Sequence, residues 1–173
     1  MKKVSAVILS LIIAATPANL FAAELTDEQI GNISTNCASI KLRLKQIQKN
    51  DARSRVNLGA QFEIISTNLM MNLNLRLVKN NIANANVSRQ QTDFAAEREA
   101  FKSDYITYSQ ELENLIAINC KEKPQHFYDQ LETVRSRRAT VADHVKRLSE
   151  MAAEHRKTIL DMRDSLTPEK TDE

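Results

Sequence analysis

The fold is decided by residues 127–166, which read FYDQLETVRSRRATVADHVKRLSEMAAEHRKTILDMRDSL. Apolar residues return at alternating steps of four and three, so they lie along one face of a long helix, predicted over residues 124–166 because Pro124 suits a first helical turn. A seven-residue repeat of this length is typical of a left-handed coiled-coil contact. Arg138 and His155 interrupt the face, and a long Arg stem can reach solvent from such a position. The positions on this face are Phe127, Leu131, Val134, Arg138, Val141, Val145, Leu148, Ala152, His155, Ile159, Met162 and Leu166.

A first helix is predicted over residues 26–70. Thr26 and Gln29 form a capping box at its start. Apolar residues then follow one helix face, except in the middle, where Asp51 and Ser54 are polar.

A second helix is predicted over residues 88–119, where Ser88 and Gln91 form another capping box. Glycine and proline are scarce, with 2 and 3 in the whole chain, and the turns between strands favour both residues. We therefore expect one all-α domain over residues 24–166, an elongated antiparallel three-helix bundle with coiled-coil character.

The segment between the first two helices changes its pattern. Residues 72–77 alternate between polar and apolar, a period of two that favours extended chain. Asn80, Asn81 and Asn84 follow, and clustered asparagines favour turns. We predict an extended connection over residues 73–77; the alternative is a first helix that continues to about Lys79.

The N-terminus has the layout of a secretory signal peptide over residues 1–23, in which Lys2 and Lys3 precede an apolar run that ends in small residues. Its removal takes two of the 24 basic residues and none of the 22 acidic ones, so the mature chain is balanced in charge. A nucleic-acid-binding protein normally has a basic stripe, so nucleic acid is not expected as a partner.

We predict export to the extracellular space, the periplasm or the cell surface, with membrane attachment only if the N-terminal segment is retained as an anchor. Residues 167–173 are predicted to be a flexible tail.

Cys37 and Cys120 are the only cysteines. An exported chain favours a disulfide between them, and free buried thiols or pairing between chains are the alternatives. In an up–down–up arrangement, the first two helices run in opposite directions. Two cysteines that face each other then lie equally far along their helices from the turn that joins them. The span from Cys120 back to Ser88 matches the span from Cys37 forward to Leu69, so the first helix is expected to end or bend away near Leu69.

An interaction surface is predicted at the far end of the third helix. This helix is longer than the second, so its apolar positions beyond about Ala152 need cover. The extended segment is one candidate, and a second copy of the chain or a partner protein is the other. The residues of this predicted surface are Leu73, Leu75, Leu77, Ile159, Met162 and Leu166.

The sequence lacks the common spacings that indicate a catalytic or metal-binding site. The three histidines show neither the Glu-x-x-His spacing of di-iron bundles nor the pair four apart that binds zinc on a helix. There is no Cys-x-x-Cys motif and no glycine-rich phosphate loop. Neither an enzyme nor a cofactor is expected. In an alternative hypothesis, His155 with Met151 and Met162 holds a soft metal.

Two resemblances rest on short stretches. Between Cys37 and Cys120 the chain contains DAR at residues 51–53, LNLRLVKNN at 73–81 and YITYSQ at 105–110. With the two cysteines, these stretches resemble uncharacterised secreted helical proteins of candidate-phylum bacteria with reduced genomes, over nearly the whole mature chain. That family has no assigned activity, so the resemblance implies export, helices and the cysteine pair.

The second resemblance lies at the start of the first helix. Residues 25–29, LTDEQ, are similar to the L-T-x-x-Q motif of Spy/CpxP-type periplasmic chaperones, and residues 166–170, LTPEK, depart from it at the last position. Those chaperones are helical, cradle-shaped dimers, so this resemblance implies a helical holdase.

We expect an exported, non-enzymatic protein whose role is protein–protein interaction or a structural role at the cell envelope. Its partner would be an unknown protein or a second copy of the chain. A periplasmic holdase chaperone and a metal- or small-ligand-binding bundle are the alternatives.

Overall fold

The structure is a computed structural model that describes residues 24–82 and 84–166, and over these residues it contains helices and no strand. The predicted all-α fold is confirmed, and the packing of the long helices is compatible with a bundle. The predicted signal peptide and tail lie outside the described residues. No described helix combines the length and the apolar character needed to cross a membrane. The elements are α1 (Asp27–Glu63), a π-helical segment (Ile64–Met71), α2 (Asn72–Lys79), α3 (Ala85–Ala117) and α4 (Pro124–Leu166).

The first helix runs without a break from Asp27 to Lys79. The residues at its two internal junctions keep right-handed helical backbone angles, with φ −60° and ψ −45° at Ile64 and φ −66° and ψ −37° at Asn72. The predicted end of this helix near residue 70 is therefore wrong, and so is the extended connection over residues 73–77. The alternative of a helix that continues to about Lys79 is what the structure contains.

The alternating leucines fit a helix because α2 divides them between two sides. Residues four apart share a helix face, whereas residues two apart point to different sides. Leu77 is accordingly buried and Leu73 partly buried, while Leu75 is 61% exposed. The helix also pairs backbone groups that an extended segment without a neighbouring strand would leave unpaired.

The asparagines after α2 form the turn predicted for them. Asn81 adopts φ 57°, the left-handed conformation that asparagine tolerates better than most residues. Its N–H donates to the carbonyl of Val78 at 3.1 Å, and the N–H of Ile82 donates to the carbonyl of Leu77 at 2.9 Å, which closes α2 in a Schellman motif. The side-chain oxygen of Asn84 then accepts the first backbone N–H groups of α3.

Two of the predicted helix starts are confirmed and one is wrong. Thr26 and Gln29 form the capping box of α1, and α4 begins at the predicted proline. The box at Ser88 is not the start of α3, which begins earlier, at Ala85. The Ser88 hydroxyl instead donates to the side-chain oxygen of Asn74 in α2 at 2.8 Å, so it joins two helices.

Two apolar clusters form the core on either side of a polar middle, and Val141 packs against both. In the second cluster the ring of Phe62 meets Phe94 and Phe101 edge-on, with centroids 6.2 and 5.9 Å apart. Such aromatic pairs contribute about 0.5–1.5 kcal/mol each beyond area burial. The buried members of the first cluster are Cys37, Leu44, Tyr108, Leu112, Leu115, Cys120, Phe127 and Val134. Those of the second are Phe62, Met70, Phe94, Phe101 and Leu148.

Cys37 and Cys120 lie at disulfide distance and are joined, with Cα atoms 5.6 Å apart. The predicted pair is confirmed. Of the two outcomes inferred near Leu69, an end of the first helix is wrong, because the helix continues to Lys79. That inference assumed the same rise per residue on both sides of the bridge. Ile118 has an extended backbone just before Cys120, and an extended residue rises about 3.3 Å against about 1.5 Å in an α-helix, which offsets about one residue. On the other side, the π-helical segment has wider turns that hold more residues each. Fewer residues therefore cover the same length on the α3 side.

Candidate functional site

A groove of about 510 Å³ separates the second half of α4 from the π-helical segment and α2. Leu73 and Ile159 of the predicted interaction surface both line it, whereas Leu77 lies in the core. The segment predicted to cover this end of α4 therefore does lie beside it, but as a helix and not as an extended segment. The apolar lining consists of Ile65, Leu69, Met70, Leu73, Ile159 and Leu160.

The outer stripe is a second apolar face of the first helix, formed by Met71, Leu75 and Val78. Steps of four and three along the helix place these residues on one side. They are 40%, 61% and 57% exposed, respectively, and Ile82 in the turn after α2 is 38% exposed. Because the same helix buries Leu77 on another side, α2 is apolar both towards the core and towards solvent. Such a helix normally has neighbours on both sides.

Exposed apolar side chains are concentrated at this end of the molecule. Leu166, a member of the predicted surface, is 55% exposed at the end of α4, and Met162 is partly buried. Large exposed apolar patches mark interaction surfaces more often than scattered single residues do. The exposed large apolar residues of this end are Ile64, Leu69, Met71, Leu75, Val78, Ile82 and Leu166, and those elsewhere are Leu42, Val56 and Ile106.

The π-helical segment connects the core to the groove. It buries Met70 in the second apolar cluster and leaves Leu69, which lines the groove, 59% exposed. The Thr67 hydroxyl donates to the carbonyl of Glu63 at 2.8 Å. Helical turns of this type are rare and occur frequently at functional sites, so their position beside the groove and the outer stripe supports a functional reading of this end.

His155, which interrupts the α4 stripe, lies in the lining of this groove and is 7% exposed. Its Nδ1 is 3.1 Å from the amide oxygen of Gln90, whose amide nitrogen donates to Thr158 at 3.1 Å. Burial lowers the pKa of His155 below its ordinary value of 6.5. The ring is therefore neutral at pH 7, and because an amide oxygen only accepts, Nδ1 carries the proton.

The soft-metal hypothesis at His155 stays a prediction. Met151 packs against the second apolar cluster, and Met162 is partly buried. In residues 24–82 and 84–166 no group of three or more His, Cys, Asp or Glu side chains is placed to hold a metal ion.

The charged cleft is a second cavity, of about 550 Å³, in the polar middle of the bundle. Asp51 of α1 and Arg138 of α4, each of which interrupts an apolar stripe, meet in it. Nε and Nη2 of Arg138 donate to the two carboxylate oxygens at 2.7 and 2.9 Å, and the Tyr108 hydroxyl donates to Oδ2 at 2.6 Å. Partial burial raises the pKa of Asp51, but the hydrogen bonds from Arg138 and Tyr108 outweigh it, so the pKa lies below 3.8. Burial, together with the bond to Asp51, raises the pKa of Tyr108.

Two further arginines border the charged cleft. The guanidinium carbon of Arg55 lies 5.5 Å from the ring centroid of Tyr105, a cation–π contact. Arg135 pairs with Glu132 at 2.5 Å on the exposed face of α4. The apolar part of the lining consists of Leu58, Phe101, Ala139, Val141, Ala142 and Val145.

A third charged group ties α3 to α4 around His144, which is 5% exposed. Its Nδ1 lies 2.6 Å from Glu97 and its Nε2 lies 2.7 Å from Asp104, so the ring is held between two carboxylates of α3. Nε of Arg147 donates to the same oxygen of Glu97 at 2.6 Å. Partial burial raises the pKa of Glu97, but the bonds from His144 and Arg147 outweigh it and lower the pKa below 4.5.

The sequence contains only an indirect signal for the charged cleft. Asp51 and Arg138 are visible as interruptions of two stripes, but nothing in the sequence pairs them. Tyr108 falls on the apolar face of its own helix, a position that predicts a core residue. His144 lies beside the α4 stripe, and its two carboxylate partners belong to another helix, so no local spacing identifies it.

Comparisons of the chain with protein-family models, with curated proteins and with solved structures found no match.

Proposed function

We propose that this chain is an exported, non-enzymatic helical protein that binds another protein through the outer stripe of α2. The observation that carries the proposal is an apolar, solvent-exposed side on a helix whose inner side already packs in the core. Burial of apolar surface contributes about 25 cal/mol per Å², so contact with a partner is favourable. An apolar helix face is also a recurrent form of peptide and protein recognition.

The proposed architecture is an antiparallel bundle with coiled-coil character. Contacts between the first helix and the region of α3 support the antiparallel order. As the residue number rises along the first helix, the number of the contacting residue falls. The pairs are Cys37 with Cys120, Asp51 with Tyr108, Glu63 with Arg98, and Asn74 with Ser88. The seven-residue repeat of α4 supports coiled-coil contacts.

Export is part of the proposal and has two supports. The first 23 residues have the layout of a signal peptide. The cysteine pair, 83 residues apart in sequence, is joined as it would be in an oxidising compartment. The proposed location is the extracellular space, the periplasm or the cell surface.

A paired-variant experiment tests the proposal. Leu75→Glu with Val78→Glu places charges on the outer stripe, and Leu42→Glu with Val56→Glu is the matched control, because those residues are also exposed apolar positions, at 68% and 60%. Sedimentation of the purified mature chain measures self-association, and cross-linking in the native envelope measures hetero-association. The proposal is supported if the stripe variant loses a complex that wild type and control both form. If the control loses the complex equally, or if wild type forms none in either assay, the proposal is wrong.

A holdase chaperone is the second candidate. The same exposed stripe favours it, since a holdase needs apolar surface for unfolding clients, and so does the similarity of residues 25–29 to the Spy/CpxP-type motif. Suppression of aggregation of a heated client protein separates the two functions. A holdase keeps many unrelated clients soluble, whereas a specific binder protects none of them.

A further inference from the structure

We propose that the charged cleft binds a small apolar molecule that carries one carboxylate. This inference is independent of the outer stripe, since the cleft lies in the middle of the bundle and shares no residue with it. The proposed acid group lies against Arg55 and Arg138, and the apolar body lies on the side chains of α3 and α4.

The size and lining of the charged cleft suit such a ligand. Small-molecule pockets commonly measure about 300–1,000 Å³ and combine an apolar lining with a few polar groups, and this cavity measures about 550 Å³. Leu58, Phe101, Val141 and Val145 supply the apolar surface. The polar groups lie together at Asp51, so the ligand is expected to have one polar end.

The charges of the lining decide the sign of that polar end. Three guanidinium groups face one carboxylate, because Arg55, Arg135 and Arg138 line the cleft with Asp51. Asp51 balances Arg138, and Glu132 pairs with Arg135 from outside the lining. Among the described residues no carboxylate pairs with Arg55, which is held instead over the Tyr105 ring. An arginine in this situation binds a carboxylate in preference to a neutral or cationic group.

The polar network of the charged cleft is fixed before any ligand arrives. Tyr108 is 1% exposed, and its hydroxyl holds Asp51, which in turn holds the guanidinium of Arg138 by two bonds. An ion pair with one partner half in water contributes little net stability. Departures from the apolar pattern of a fold concentrate at functional sites, and here the interruptions of two separate stripes meet in one cavity.

Decanoate is the probe for this site, with decanol as its neutral counterpart and decyltrimethylammonium as its cationic one. The purified mature chain, oxidised and below the micelle concentration of each probe, is titrated and followed by the backbone amide signals in two-dimensional NMR. We expect decanoate to bind with one-to-one stoichiometry, with signal changes around Arg55 and Tyr105, and to bind at least about tenfold more tightly than the other two probes.

Three variants locate the ligand. Arg55→Gln removes the cation without a carboxylate partner and is expected to weaken decanoate binding by about tenfold. Arg53→Gln is the matched control on the same helix, outside the lining, and is expected to leave binding unchanged. Ala142→Leu adds volume at a lining position that is exposed at its surface, and it is expected to abolish binding while thermal unfolding stays that of wild type.

The proposal is wrong if decanol binds as tightly as decanoate, if Arg53→Gln weakens binding as much as Arg55→Gln, or if decanoate does not bind at millimolar concentration. Signal changes confined to the outer stripe also overturn it, because they indicate adsorption to exposed apolar surface. If Arg55→Gln does not fold, the Ala142→Leu titration decides, since unchanged decanoate affinity in that variant places the ligand elsewhere.

Discussion

Asp51 and Arg138 form a two-point ion pair between α1 and α4, and each is one of two polar residues that interrupt the apolar stripe of its own helix. The Asp51 side chain is 18% exposed and the Arg138 side chain 55%. A pair with half of one partner in water contributes little net stability. Its main effect is therefore on the alignment of the two helices, because only one register brings the two interruptions together.

Replacement of Asp51 by Asn is expected to lower the free energy of unfolding by about 1 kcal/mol. The amide keeps an acceptor for Tyr108 but loses the charge that holds Arg138. Urea denaturation followed by circular dichroism measures the change. Asp143→Asn is the control on the exposed side of α4 and is expected to change the value by less than about 0.5 kcal/mol. Equal losses in the two variants would show that the ion pair has no specific role.

Some features of this fold follow from the sequence alone, and others depend on contacts between the helices. The helix over 124–166 follows from a repeat that needs no tertiary information, and the Thr26 cap follows from a local motif. The conformation of residues 73–77 does not follow from a local pattern, because alternating leucines fit either an extended segment or a helix with two apolar sides. The choice depends on whether a neighbour pairs the backbone, which is tertiary information. The pairing of Asp51 with Arg138 requires the register of the folded bundle for the same reason.

The two-sided character of α2 predicts opposite outcomes for neighbouring leucines. Leu77→Ala removes a side chain that is 7% exposed and is expected to cost about 2–4 kcal/mol. Leu75→Ala changes a side chain that is 61% exposed and is expected to change stability by less than about 0.5 kcal/mol. Chemical denaturation of the monomeric mature chain measures both. Similar losses would indicate that the two leucines share a face, as they would in an extended segment, and would contradict the helix.

The disulfide is expected to supply a large part of the stability of this helical chain. The chain-entropy model assigns about 4–5 kcal/mol to a loop of this length as an upper value, for a separation of 83 residues. Reduction should therefore lower the melting temperature substantially, and the Cys37→Ser, Cys120→Ser double variant should melt like the reduced protein with or without reductant. A non-reducing gel and a thiol titration check the pairing itself. Free thiols or a linked dimer in the oxidised mature chain would rule out the intramolecular bridge.

His155 predicts a loss of stability that begins at mildly acidic pH. Burial lowers its pKa in the folded chain, so below the ordinary value of 6.5 the unfolded chain binds a proton that the folded chain does not. Folding stability therefore falls as pH decreases from about 6.5, by at most about 1.4 kcal/mol per pH unit for one group. Asp51 and Glu97 also have lowered pKa values, and their contribution is present above 3.8 and 4.5 and is lost below them. The pH range in which His155 lowers stability therefore begins above the range in which the two carboxylates do.

The variant His155→Leu isolates the histidine contribution, because leucine suits a buried position on the α4 stripe and does not titrate. The difference in unfolding free energy between variant and wild type should grow as pH falls from 6.5 to 5, while both proteins keep the carboxylate-dependent loss at lower pH. His126→Gln, at an exposed position, controls for the removal of a histidine as such. Denaturation curves at half-unit pH intervals provide the measurement. A difference between His155→Leu and wild type that is constant over this range would mean that the ring binds its proton equally in the folded and unfolded chains. The bond from Nδ1 to Gln90 would then not require a neutral imidazole.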